Sequence, residues 1–253
     1  MKSKLLLASA FAAVAAFGTA SYAKPDANVT AAVADKARPE ADTKRDADRK
    51  PAETLEFAGV KQGQTVVDLI PGGGYFTRLF SKAVGPKGTV YAVGGPPRPA
   101  DPSKPPPPKP AQDAIAEDTA NYGNVKSIHA PLQNGLSIPT KADIVFTAQN
   151  YHDVKNVPNV DMLKFNKAIY DSLKPGGEFI VIDHVAAPGA SVTNTLHRID
   201  PAVVKDEVTK AGFKFEGESK ILADPADDHS KGVFDPSIRG KTDQFLYKFR
   251  KPK

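Results

Sequence analysis

The chain contains no cysteine, which excludes a disulfide scaffold, thiolate-bound zinc or iron–sulfur centres, and a cysteine nucleophile. It also lacks tryptophan, and it has only five histidines. Charge of one sign is scarce: the net charge is +5 and the basic residues are spread out, so no nucleic-acid surface is assigned. Beyond residue 23 no segment approaches 18 apolar residues, so the mature chain has no membrane span. What remains is ordinary for a globular protein, with 40% hydrophobic and 25% charged residues in 253. The 23 prolines and 19 glycines call for long irregular stretches.

Residues 1–23 read as a signal peptide. Lys2 and Lys4 give a positive start, Leu5 to Phe17 is an apolar run too short for a comfortable span, and Ser21-Tyr22-Ala23 offers small residues to a peptidase. Cleavage after Ala23 and export to a bacterial periplasm are expected. Residues 24–50, rich in Ala, Asp, Lys and Arg, read as a flexible polar arm.

From residue 51 to 253 the pattern alternates. Pro51 opens a short helix. Thr65 to Ile70 is a β-branched strand, broken by Pro71-Gly72-Gly73-Gly74. Tyr75 to Val84 places Phe76, Leu79, Phe80 and Val84 at helical spacing, and Thr89 to Val93 is the next strand. Residues 94–110 interrupt with nine prolines between Pro96 and Pro110, an extended surface insert. Ala111 to Tyr122 then reads as helix, Val125 to His129 and Ala142 to Thr147 as strands, and Val160 to Leu173 as a helix with Leu163, Ala168, Ile169 and Leu173 inward. Lys174-Pro175-Gly176-Gly177 is a turn and Glu178 to Asp183 a strand. Pro201 to Ala211 is a helix, and Phe213 to Leu222 and Asp243 to Lys251 are strands. Strands alternating with helices predict an α/β fold, a parallel-rich sheet covered on both faces.

Ligands of such sheets sit at the carboxyl ends of the strands, where the strand order switches. The Pro71–Gly74 loop lies there, and Asp68 stands near the end of the same strand. The run Val66-Val67-Asp68-Leu69-Ile70-Pro71-Gly72-Gly73-Gly74, followed later by Leu173-Lys174-Pro175-Gly176-Gly177 before an apolar strand, resembles the class I S-adenosylmethionine-dependent methyltransferases. Within these it is similar to exported "predicted methyltransferase" proteins with a PGGG loop. The resemblance implies a Rossmann-like doubly wound sheet of about seven strands, mostly parallel, with an antiparallel last strand at Asp243 to Lys251. It implies S-adenosyl-L-methionine as cofactor. Asp68 would hold the methionine-amine end, with Pro71, Gly72, Gly73, Gly74 and Asn150 lining the same site. Two positions depart from the family pattern. Ile70 stands where the first loop glycine usually is, and Gly94 and Gly95 stand where an acid normally binds the ribose. Asp101 is a stand-in for that acid, and Ile128 to Leu132 lacks the usual acidic adenine contact.

Three histidines fall at strand ends. His152, in Asn150-Tyr151-His152-Asp153, is read as general base with Asp153 as its orienting partner. Tyr151, His184, His197 and Arg198 are assigned to the substrate. His184 and His197 could instead join Asp183 and Asp153 as metal ligands, but no metal is assigned. Asp227-Asp228-His229 reads as solvated surface. The function expected is methyl transfer to a small-molecule acceptor. The alternative is a non-catalytic periplasmic binding protein retaining the fold. A nicotinamide oxidoreductase is disfavoured because Thr77 occupies the third position of G-x-G-x-x-G.

Overall fold

The computed structural model describes residues 26–97, 102–131 and 136–253. The signal-peptide segment 1–23, Asp101 and Leu132 lie outside the described residues. Seven strands form one sheet: β1 (Thr65–Leu69), β2 (Thr89–Gly94), β3 (Val125–His129), β4 (Ala142–Ala148), β5 (Leu173–His184), β6 (Lys214–Ser219) and β7 (Gln244–Arg250). Their order is β3-β2-β1-β4-β5-β7-β6. The pairs from β3 through β5 are parallel, and β7 runs antiparallel to both β5 and β6.

Period-two alternation sends each strand's side chains to two cores. On one face Val66, Val90, Ala92, Ile144, Phe146, Ile180 and Ile182 pack under α4 (Pro51–Phe57), α5 (Tyr75–Val84) and α6 (Ala111–Glu117). On the other, Val67, Leu69, Val93, Val145, Phe179 and Val181 pack under α8 (Tyr151–Lys155), α9 (Met162–Ser172) and α10 (Pro201–Lys210). Phe245, Tyr247 and Phe249 of β7 line this second core as a row of ring contacts. Burial on both faces explains why these strands read as continuous apolar runs.

Three readings are corrected. The expected arm is folded over residues 26–50, as α1 (Ala27–Val33), α2 (Glu40–Thr43) and α3 (Asp46–Arg49). Val29 and Ala32 are fully buried against α5, and the buried Arg38 donates to Val33 O and to both oxygens of Asp46, at 2.6–2.9 Å. Tyr75 OH also donates to Asp46, and Arg78 to Asp42. Few apolar side chains are needed because buried arginines and carboxylates do the docking. Second, the helix read across 111–122 breaks at Asp118, whose side chain caps α7 (Thr119–Tyr122) by accepting from Asn121 N. Third, Leu163 is exposed, and Phe165, Asn166 and Ile169 form the inward face of α9.

Candidate functional site

Register places the site. Leu69 of β1 pairs with Val93 of β2 and with Thr147 of β4, and Thr147 pairs with Val181 of β5. The segments after these four strands therefore leave one edge of the sheet together. The chain turns from β1 to β2 on one side and to β4 on the other, so the switch point lies between β1 and β4.

At the end of β1, Asp68 is buried and accepts one side-chain hydrogen bond, from Thr77 Oγ1 at 2.5 Å. Burial pushes its carboxyl up to about 6, although Thr77 and the charge of Arg49 oppose the shift. The loop then bends through left-handed backbone at Ile70 (φ 59°), Gly72 (φ 55°) and Gly74 (φ 78°). Ile70 adopts the conformation a glycine would take at no steric cost. It is held by its own N–H to Val93 O at 2.7 Å and by Asn150 Nδ2 donating to Ile70 O at 2.9 Å. Asn150 thus ties the end of β4 to the end of β1. Beside it, Gln149 is also left-handed (φ 62°). Two strained non-glycine residues side by side at a switch point are the kind of cost that functional sites carry.

The glycines divide by environment. A Cβ on Gly72 or Gly73 would meet nothing within 4 Å, so their backbone faces open space. A Cβ on Gly74 would lie 2.2 Å from Ile115 Cδ1, and one on Gly94 would lie 2.2 Å from Gln112 Oε1. Both contacts come from α6. Gly74 and Gly94 are therefore glycines because a helix packs on them. Gln112 of α6, buried against Gly94, stands beside the position after β2 where the family pattern has an acid, and its Nε2 donates to Ile128 O.

Arg49 was not singled out from the sequence, because it sits in the segment read as an arm. Its guanidinium lies over Tyr75 (4.8 Å to the centroid) and Phe76 (5.5 Å), and it donates to Gln149 Oε1 at 2.8 Å. Its Nε is buried without a hydrogen-bond partner. Burial, aided by Arg45, brings it down to about 10.

At the ends of β4 and β5 the histidines converge. The buried His152 faces Asp183 Oδ1 through Nδ1 at 2.7 Å, and its backbone N–H donates to Asp183 Oδ2 at 2.8 Å. Asp183 also accepts from His184 N at 2.8 Å. The orienting partner is thus Asp183. Asp153, half exposed, lies at the other ring nitrogen, 3.3 Å from Nε2. Burial opposes the charged form of His152, but the hydrogen bonds and charges of Asp153 and Asp183 outweigh it and raise the ring to about 9. The two carboxylates thus favour the charged ring over the neutral one, with Asp183 at Nδ1 and Asp153 at Nε2.

His197 reaches the same place because segment 197–199 runs alongside the end of β5, with Ile199 N–H donating to His184 O and Ala186 N–H to Ile199 O. His197 takes left-handed backbone (φ 53°) and its Nδ1 lies 3.3 Å from His152 Nε2. The ring of Phe234, 60% exposed, meets it edge-on at 4.9 Å.

The other substrate assignments fall elsewhere. Tyr151 is fully buried, donating to Glu207 and accepting from Asn166, and so holds α8 to α9 and α10. Arg198 is fully buried and bonds Lys231 O, Val185 O and Asp227, so it pins the 227–231 loop. Asp227 is correspondingly buried, a correction to its reading as solvated surface. His184 is buried against Thr242 Oγ1 at 2.7 Å, and burial lowers it to about 4. A surface hollow lies on the outside of α9 and α10 among Lys164, Lys167 and Lys210, and none of the strand-end groups lines it. No helix among the described residues is long and apolar enough to cross a membrane.

No protein-family model matches the chain. In sequence it is similar to the ubiquinone/menaquinone biosynthesis C-methyltransferase UbiE of Pasteurella multocida (strain Pm70), 27% identical over 187 residues, 69% of this chain and 62% of that protein. The protein of the same name from Enterobacter sp. (strain 638) is 28% identical over 134 residues, 51% of this chain and 46% of that protein. The chain thus spans less than two thirds of either relative's length. In structure it is similar to a SAM-dependent methyltransferase from Aquifex aeolicus, with TM-score 0.57 and 20% identity over 85% of this chain and 98% of that one. It is also similar to an arsenic(III) S-adenosylmethionine methyltransferase from Chlamydomonas reinhardtii, with TM-score 0.53 and 20% identity over 91% of this chain and 75% of that one. The fold is that of the class I methyltransferases.

Proposed function

We propose that the protein is a class I S-adenosylmethionine-dependent methyltransferase acting on a small-molecule acceptor. The observation that carries this reading is the buried Asp68, with the charge of Arg49 acting on it, beside the open backbone of Gly72 and Gly73 at the switch point. The cofactor's amino-acid end bears an ammonium and a carboxylate. A buried carboxylate with one side-chain donor and a guanidinium with an unpartnered buried Nε suit those two charges. The cofactor supplies an electrophilic methyl group on a sulfonium. Gly72 and Gly73 let the main chain approach it, and Asn150 keeps Ile70 and the β4 end in place. At the ribose end the fit is by carboxamide at most, since Gln112 replaces a charged partner.

The acceptor side is the His152–Asp153–His197 cluster, with Phe234 exposed next to it. An acceptor with a flat apolar part and an ionisable hydroxyl or amine would meet the ring of Phe234 and the polar cluster together. Alignment of the two reactants carries most of the rate.

Titration calorimetry with S-adenosylmethionine, its demethylated product and NAD tests the reading. Saturable binding of the first two, abolished by Arg49→Met, is expected; binding of NAD alone would overturn it. On the acceptor side, His152→Ala should lower kcat by about 10²–10⁴-fold with cofactor affinity near wild type. A change in stability without a change in turnover per folded molecule would remove His152 from the chemistry. Export belongs to the same proposal: N-terminal sequencing of envelope fractions should find Lys24 first, and an intact Met1 would count against it.

A further inference from the structure

Three donor atoms from three side chains meet at the rim of β4 and β5. His152 Nε2 to His197 Nδ1, His152 Nε2 to Asp153 Oδ1, and His197 Nδ1 to Asp153 Oδ1 are each 3.3 Å. Among the described residues this is one cluster of three or more such ligand atoms. Hydrogen bonds between an imidazolium and a carboxylate run at about 2.7–2.9 Å, so these contacts are long for that purpose. They match something else. With metal–ligand bonds of about 2.0–2.1 Å, two ligands at a tetrahedral angle are separated by about 3.3–3.4 Å. In an octahedral magnesium site the same edge would be about 2.9 Å. The triangle has the size of one face of a tetrahedron.

The surroundings agree. Asp183 is a carboxylate and can only accept, so the hydrogen on His152 Nδ1 points to it and the Nε2 lone pair is directed at the other two ligands. A carboxylate behind a ligating histidine is the usual way a metal-binding ring is fixed. Asp183 also holds the backbone of His152 and His184, so that ring is fixed to β5 itself. His197 is presented by a left-handed backbone that the parallel pairing of residues 185 and 199 holds. His152 is buried while Asp153 is half exposed, so the triangle runs from the interior to the surface.

We infer that His152, Asp153 and His197 bind a zinc-class divalent cation in a three-ligand site with one position open to an exogenous oxygen or nitrogen ligand. Two imidazoles and one carboxylate are the donor set such a borderline ion takes when no thiolate exists, and the chain has no cysteine. Cation binding stands on this geometry alone. If methyl transfer is the activity, a use that rests on the functional proposal above, the open position would take the acceptor's hydroxyl and favour its anionic form.

The test uses the untagged full chain, freed of metal by dialysis against a chelator. Calorimetric titration with Zn²⁺ should give one equivalent, and Co²⁺ in its place should give the intense visible bands of four- or five-coordination. His197→Ala and Asp153→Ala change a partly exposed and a half-exposed side chain, so the fold should persist. Each should weaken Zn²⁺ binding by roughly 10–100-fold or more and abolish the Zn²⁺-dependent rise in melting temperature. His129→Ala and His229→Ala, each at a two-residue His–Asp pair, should change neither. No saturable binding, or equal affinity in both ligand variants, would overturn the site. Asp68→Asn separates the two proposals: it should lose S-adenosylmethionine and keep Zn²⁺ at wild-type affinity.

Discussion

Asp68 and Asp183 each stand next to last in their strands, on β1 and β5, and both are buried; they are satisfied very differently. Asp183 accepts from His152 N, His152 Nδ1 and His184 N. Asp68 has one residue, Thr77, as donor through its hydroxyl and its backbone N–H, and burial pushes it up to about 6. A saturated carboxylate is scaffold, since its bonding capacity is already used inside the chain. An undersatisfied one at the same depth carries a standing cost, and a ligand that brings a positive charge relieves it.

Breaking the saturated side should have the largest effect. Asp183→Ala leaves three donors without an acceptor and should lower stability by about 3–5 kcal/mol in urea unfolding; a loss under about 1 kcal/mol would show that water replaces it. Asp68→Asn should do the opposite. Cofactor affinity should fall by about 10–150-fold, the worth of a charged hydrogen bond of about 1.5–3 kcal/mol, while the fold at pH 7 becomes no less stable. Unchanged affinity would remove Asp68 from the site.

The glycines sharpen the same division between scaffold and seat. Gly74→Ala meets Ile115 and keeps a left-handed φ, so it should destabilise by about 1–3 kcal/mol. Gly73→Ala should change stability by no more than about 0.5 kcal/mol but still weaken S-adenosylmethionine binding, because its Cβ points into open space. Equal melting curves for the two variants would merge the two roles.

The last effect is one of pH. Asp68 is raised in the folded state from its ordinary 3.8, chiefly by burial, with Thr77 and Arg49 facing it. Its contribution to stability therefore improves as the pH falls through about 6 toward 4, and is unfavourable above that window. Cofactor affinity runs the other way, falling about tenfold between pH 7 and pH 5 as the carboxyl takes up a proton. In Asp68→Asn this component of the pH dependence should vanish from both curves.

Much of the frame was legible in the sequence. Helix α5 spans the predicted Tyr75 to Val84, and β1, β2, β4, β5 and β7 lie on runs of β-branched or aromatic residues, because burial on both faces leaves dense apolar stretches; β3 and β6 are partly exposed and read more weakly. The folded segment 26–50 was not legible: its anchors are Arg38, Asp42 and Asp46, residue types that ordinarily signal solvent. Helix α8 has five residues, too few for a period to show, so His152 and Asp153 could be placed only at the end of the fourth strand. Histidines near strand ends could be listed, but the meeting of His152 with Asp183 and His197, 31 and 45 residues away, depends on how β5 and segment 197–199 lie side by side. Nothing in local composition records that.

The order of strands also sets a schedule for synthesis. β6 is paired with β7 alone, and β7 fills the space between β6 and β5. Until residues 244–250 have cleared the ribosome, the edge of β5 that β7 will cover is unmatched and β6 has no partner strand. These are templates for pairing with a neighbouring copy. A chain interrupted shortly before Gln244 would therefore aggregate rather than idle as a nearly complete domain, and a factor that delays folding would protect that interval.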